Sequence, residues 1–292
     1  VSYRLPRASC CRRPPVARAM AAATDQLTAV LSMWRQWDLT PPLEAIPVLG
    51  AVWAEGSGHR LYTLANNPAL CARLRHRSTS TAAGGFAREI AAWTHAANRG
   101  LAPQIAYVAN AEEIVVCERL CPEEKPICAQ KLGALARAIH QLPKTAYRLD
   151  LYQVINDYLQ RVPAVTKPKW QLIVDDHRVT QALRCLEHDT PRLCHNDLTA
   201  GNLLYKQEQL VAIDWEYAAM GSRYFDVAIA MEPLPLESQE AFLSAVFDEQ
   251  PDSDLVAAGK LIARLCTLLW QQCFDTDSLI GASLWPGQSK AI

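Results

Sequence analysis

The sequence predicts an α+β protein. A five-stranded antiparallel sheet with one helix is followed by a mainly helical part, the two joining near residue 119. Three observations predict this. Apolar alternation broken by turn residues fills 46–74 and returns over 105–117, the period of strands. Around Glu118 to Pro122 the strand character ends and long helix-period stretches take over. Only a short hairpin near 203–213 interrupts them.

Taken in order, 24–37 reads as a helix with Leu27, Val30, Leu31 and Trp34 on one face, stopped by Pro41, Pro42 and Pro47. Val48–Trp53, His59–Leu64 and Ala69–Leu74 form a meander, with Glu55-Gly56-Ser57-Gly58 and Asn66-Asn67-Pro68 as its turns. After a polar small-residue loop at Ser78–Gly85, Phe86–Ala97 is a helix with Phe86, Ile90, Trp93 and Ala97 in one stripe, ended by Gly100. Ile105–Val108 and Ile114–Cys117 complete the sheet. The helical part is expected at Pro126–Leu142, Leu149–Arg161, Trp170–Glu187, Ser222–Met231, Ser238–Phe247 and Asp254–Phe274. Domain boundaries follow: a basic leader at 1–20, a sheet domain at 21–119 and a helical domain at 120–292.

Composition narrows the function classes. Half of the 292 residues are apolar and a fifth charged, as in ordinary globular proteins. No apolar run reaches the roughly 18 residues of a membrane helix, and a net charge of −1 argues against nucleic-acid binding. The leader carries Arg4, Arg7, Arg12, Arg13 and Arg18 and no acid, leaving 24 basic against 30 acidic groups in the rest. It lacks the apolar segment of a secretory signal. It reads as a disordered tail, a start assigned upstream of Met20, or a transit peptide. The ten cysteines are scattered through apolar segments without a CxxC pair, which points to free thiols in a reducing, cytoplasmic setting.

The chemistry concentrates in 194–217. His195, Asp197 and Asn202 stand as H-x-D-x-x-x-x-N, and Asp214 follows the apolar strand Leu210–Ile213. Phosphoryl transfer needs a group that orients the attacking oxygen and hard oxygen ligands that hold Mg²⁺ on nucleotide phosphates. Asp197 fits the first role; the amide of Asn202 and the carboxylate of Asp214 fit the second.

On these residues the sequence resembles the aminoglycoside phosphotransferase and choline kinase superfamily, from about residue 45 to about residue 275. The stretch Ile213-Asp214-Trp215-Glu216-Tyr217-Ala218 is most similar to bacterial choline, ethanolamine and thiamine kinases. The resemblance implies a bilobal protein-kinase-like fold and an ATP- and Mg²⁺-dependent enzyme. Its partner would be a small, cationic alcohol of the choline, ethanolamine or thiamine type, with neither nucleic acid nor membrane involved. An aminoglycoside or sugar phosphotransferase, and a nucleotide-binding protein without turnover, stay open beside it.

The resemblance also distributes roles. Asp197 orients the acceptor hydroxyl, and His195 packs and hydrogen-bonds to hold the catalytic loop. Asp226, in Gly221-Ser222-Arg223-Tyr224-Phe225-Asp226, bonds to that loop's backbone. Gly56, Ser57 and Gly58 occupy the place of the nucleotide-covering loop. Arg73 stands where protein kinases carry a lysine, with Arg75 and Arg77 as rivals, and Glu89 is its helix partner. Adenine is expected between the lobes against the backbone from Glu118 through Leu120 to Cys121. Trp215, Glu216, Tyr217 and Trp270 are the acceptor-side candidates, because a cationic alcohol calls for aromatic faces and acids.

Overall fold

A computed structural model describes residues 15–56, 58–75, 85–123 and 125–274, with 15–22 and 274 described by backbone alone. Ser57, Arg77, residues 1–14 of the leader, 78–84 of the polar loop and the terminal stretch from Leu279 lie outside the described residues. No helix among the described residues is long and apolar enough to cross a membrane.

The chain divides into two compact units: the described residues of Val1–Arg77 with Ile105–Arg119, and those of Ser78–Gln104 with Leu120–Ile292. The first opens with helix α1 (Pro15–Ser32), which begins inside the segment read as a leader, and a 3-10 turn at Trp34–Gln36. Strands β1 (Leu49–Glu55), β2 (His59–Leu64) and β3 (Leu70–Arg75) follow. The second unit contributes helix α2 (Phe86–Ala97), and the chain returns to the first for β4 (Ile105–Ala109) and β5 (Ile114–Glu118). The five strands run antiparallel in the order β1-β2-β3-β5-β4.

Alternation along β3 separates two faces. Leu70, Ala72 and Leu74 join Ile114 and Val116 of β5 in a core completed by Leu27, Val30 and Leu31 of α1. Cys71 and Arg73 therefore share the opposite face with their register partners Cys117 and Val115.

The second unit continues with α3 (Ala129–His140), α4 (Leu151–Arg161), α5 (Lys167–Val174) and α6 (His177–His188), then β6 (Arg192–Cys194), β7 (Leu203–Lys206), β8 (Gln209–Ala212) and β9 (Ala219–Gly221). Helices α7 (Arg223–Met231), α8 (Leu236–Val246) and α9 (Ser253–Phe274) close it. The single helix expected over Trp170–Glu187 is two. Asp176 leaves helical geometry at ψ 135° and its carboxylate accepts from Arg178 N at 2.8 Å, so a side-chain cap starts α6 afresh. The pairing of three-residue β6 with β9 was also unforeseen, because segments that short carry no periodicity.

Helix α2 falls with the second unit although the sequence draws one boundary at residue 119. It packs against a 3-10 turn at Trp215–Tyr217, where Arg88 Nη2 donates to Glu216 O at 2.6 Å. Two glycines set close helix crossings. A Cβ on Gly133 of α3 would lie 2.6 Å from Phe242 O of α8, and one on Gly259 of α9 would lie 2.3 Å from Tyr224 O of α7.

Candidate active site

The antiparallel hairpin of β7 and β8 builds the centre of the site. Leu203 pairs with Ala212, so the residues just outside the ladder, Asn202 and Ile213, must also face each other. Ile213 N donates to Asn202 O at 2.9 Å. Asp214, next in the chain, is thereby held beside the end of the loop that carries Asp197. It adopts φ 62° and ψ 69°, a left-handed conformation uncommon for a residue with a side chain.

Asn202 Nδ2 donates to Asp197 Oδ2 at 2.6 Å and to Asp197 O at 2.9 Å. Both partners are acceptors, which fixes the amide nitrogen toward Asp197 and leaves the amide oxygen for a cation. Burial first, then the Asp214 carboxylate, push the Asp197 carboxyl up to about 7 against the lowering by the Asn202 bond, with Glu216 and Asp226 also raising it. The Asp197 and Asp214 carboxylates, with the Asn202 amide oxygen, form a hard-oxygen donor set that fits Mg²⁺.

The loop is fixed from below. His195 is fully buried, its Nε2 donates to Ile213 O at 3.0 Å, and its ring meets Trp215 edge-on at 4.7 Å. Burial holds its pKa below the ordinary histidine value, so it is neutral at pH 7. This placement suits holding the loop and gives the ring no exposed face for substrate. Asn196 takes φ 64°, and its Nδ2 donates to Tyr217 O at 3.0 Å. Asp226, fully buried in the first turn of α7, accepts from Asn196 N at 2.6 Å and from His195 N at 3.3 Å. The expected contact of Asp226 with the loop backbone is thus present in the structure.

The nucleotide-side candidates fall in both units. In the first, Gly56 N donates to His59 O at 2.9 Å and closes the turn between β1 and β2, with Gly58 in a bend. A Cβ on Gly56 would approach nothing nearer than 3.9 Å, so the turn itself does not require glycine there. Arg73 is buried, while Glu118 ends β5 opposite Leu70. Arg75 lies at the end of β3, 4.0 Å from Glu113. In the second unit Glu89 is buried on α2, and Leu120 is partly buried in the coil after β5.

The profile of a family described as the phosphotransferase enzyme family matches residues 54–258, which span the loop, the hairpin, Asp214 and Asp226. The chain belongs to this family. It is similar to a LicA homologue from Mycoplasma capricolum, 25% identical over 173 residues that cover 56% of this chain and 69% of that protein. It is also similar to thiamine kinase from Escherichia coli, 32% identical over 122 residues, 40% of this chain and 41% of the relative. Among solved structures it resembles the choline kinase LicA from Streptococcus pneumoniae, with a TM-score of 0.65 at 15% identity over 86% of this chain and 90% of that one. That likeness bears out the α+β, kinase-like fold expected from the sequence.

On the acceptor side this phosphotransferase departs from the sequence expectation. Trp215 is fully buried and its indole N–H donates to Ala212 O at 3.1 Å. It is a core residue supporting His195, with no surface for an acceptor. Trp270 stands 45% exposed on α9. Glu216 is buried, and Tyr217 is partly buried. Burial, then Glu216, Asp197 and Asp214, hold the Tyr217 phenol above its ordinary pKa, which marks it as an electrostatic neighbour of Asp197. Sequence reasoning missed Tyr158 of α4, whose phenol is raised by burial and then by Tyr217, Cys266 and Asp197. Only its position on an amphipathic helix was legible, and that pattern does not separate a core tyrosine from a site tyrosine.

Proposed function

We propose that this phosphotransferase moves the γ-phosphoryl group of ATP to the hydroxyl of a small cationic alcohol of the choline, ethanolamine or thiamine type. The observation that carries the reading is the Asn202–Asp197 hydrogen bond at 2.6 Å, in a loop tied by Asn202 O to the strand end before Asp214. Asn202 and Asp214 would hold Mg²⁺, which when bound neutralises charge on the phosphates. Asp197 accepts a hydrogen bond from the acceptor hydroxyl and aligns its oxygen with phosphorus. As the O–P bond forms and the bond to ADP breaks, the hydroxyl proton passes to the Asp197 carboxylate. On the nucleotide side, the reading assigns phosphate oxygens to Arg73, whose planar fork can clamp them bidentately.

The acceptor class rests on charge and aromatic surface. Asp197, Asp214 and Glu216 lie among the electrostatic neighbours of the Tyr217 phenol, with Arg161 a weaker opposing one. That surplus of acid beside a tyrosine face suits a cation. The names of the relatives, a thiamine kinase and a LicA homologue, support the same class. The test is Mg²⁺-dependent ATP consumption with a panel of choline, ethanolamine, thiamine and aminoglycosides. Turnover is expected with one of the first three. Turnover confined to aminoglycosides overturns the acceptor class, and none with any acceptor, despite nucleotide binding, overturns the reading.

A further inference from the structure

We propose that Cys71 and Cys117 are a redox modification site, a dithiol on the sheet that a small peroxide converts reversibly to a disulfide. Cys71 of β3 and Cys117 of β5 are register partners in an antiparallel pair, both free thiols, with their Sγ atoms 3.6 Å apart. In the same register Arg119 N donates to Ala69 O at 2.7 Å and Arg75 N to Glu113 O at 3.2 Å. Backbone bonding in an antiparallel pair recurs at every second residue, so Cys71 and Cys117 form a hydrogen-bonded pair, whose Cα atoms lie about 5.5 Å apart. Natural disulfides favour that separation, so side-chain rotation rather than strand movement brings the sulfurs to bonding distance.

The surroundings direct reaction to Cys71. The Cys117 thiol donates to Cys71 Sγ and, with the Arg119 and Arg73 cations, holds Cys71 below the ordinary thiol pKa against the opposing effect of burial. The same hydrogen bond, and then burial, hold Cys117 well above it. Burial raises Cys194, Cys266 and Cys273 instead. Cys71 is 2% exposed and Cys117 4%, so the oxidant must be as small as hydrogen peroxide. The Cys71 thiolate attacks one peroxide oxygen, the O–O bond breaks, and the leaving hydroxide takes up the Cys71 proton as water. Cys117 then gives up its proton, its sulfur attacks Cys71 Sγ, and the S–O bond breaks with hydroxide leaving as a second water. Two thiols and one peroxide thus give one disulfide and two waters, and a dithiol reductant reverses the bridge. One consequence rests on the nucleotide reading. Arg73, assigned there to phosphate, shares the face of Cys71, and Glu118, where the backbone assigned to adenine begins, has its O 4.0 Å from Cys71 Sγ. Bound nucleotide would then cover the pair.

The test treats the full, reduced chain with hydrogen peroxide, with and without Mg·ATP, then alkylates and digests it for mass spectrometry without reductant. The peptides carrying Cys71 and Cys117 should be joined, at their summed mass less two hydrogens, and a dithiol reductant should separate them. In Cys117→Ala the sulfenic acid should persist at Cys71 and be captured by dimedone. In Cys71→Ala, Cys117 should react at least about tenfold more slowly than Cys71 does in wild type. Mg·ATP at about ten times its Kd should slow joining about tenfold. A pair that stays reduced while the exposed Cys121 is oxidised, or joining spread among the cysteines without preference, overturns the proposal. That measurement on the wild type decides the matter even where a variant fails to fold. Joining at an equal rate with Mg·ATP bound upholds the dithiol and sinks the placement of nucleotide beside Arg73. Turnover of ATP by a protein whose pair stays reduced leaves the phosphotransfer reading intact and this one overturned.

Discussion

The catalytic loop and the acceptor side of the same unit are built differently. From His195 to Asp214 the polar groups sit within one loop and one hairpin, and each is fixed by a named bond: Asn202 to Asp197, Ile213 to Asn202, His195 to Ile213, Asn196 to Asp226. The proposed acceptor side would draw Tyr158 from α4 and Tyr217 from a 3-10 turn, two tyrosines that are electrostatic neighbours of each other and of Asp197. The difference teaches that the geometry proposed for the reaction is encoded locally, whereas the geometry proposed to select an acceptor would be assembled from elements far apart in the chain.

The sharpest way to break this comparison is to remove the loop's own carboxylates. Asp197→Ala should lower kcat by about 10³-fold or more while nucleotide affinity stays near wild type. Asp214→Ala should lower turnover to a similar degree and also weaken Mg·ATP binding, measured by titration calorimetry with and without Mg²⁺. If both variants bind Mg·ATP like wild type, or both retain the same substantial activity, the division of labour within the loop is wrong.

How much was legible follows the same division. His195, Asp197, Asn202 and Asp214 could be read because a hairpin of fixed register turns their spacing into proximity. The five strands were legible through alternation, and α2 through its apolar stripe. Trp215 was misread as an acceptor contact, because its neighbours in sequence are site residues while its side chain turns into the core against His195. The break between α5 and α6 was missed because the apolar pattern runs through it, and only the Asp176 cap ends the register. Tyr158 was invisible as a candidate because it comes near Asp197 from a helix whose packing the sequence does not state.

A second prediction concerns the cost of the loop's charge. The Asp197 carboxyl rises from its ordinary 3.8 to about 7 in the folded protein. Between those values the folded state binds more protons than the unfolded one, so stability falls as pH rises from about 4 to about 7 and then levels off. Asp197→Asn removes the ionisation. In EDTA at pH 8 it should be more stable than wild type, on the order of 2–4 kcal/mol, and at pH 4 the gap should close. Thermal melts at the two pH values read this directly. An Asn variant no more stable at pH 8 than at pH 4, relative to wild type, would mean that the loop carries no such strain.

The smallest effects are expected on the acceptor side, where contacts are spread over several elements and each contributes little alone. Tyr217→Phe and Tyr158→Phe keep the aromatic faces and remove only the phenol oxygens near Asp197. Each should therefore raise the acceptor KM by about 3- to 10-fold, one hydrogen bond's worth, with the KM for ATP unchanged. Trp270→Ala serves as the contrast. At 45% exposure on α9 it offers no enclosed face, so its acceptor KM should stay within about twofold of wild type. A large KM effect from Trp270, with none from either tyrosine, would reverse the assignment and return the acceptor side to the late tryptophan that the sequence first suggested.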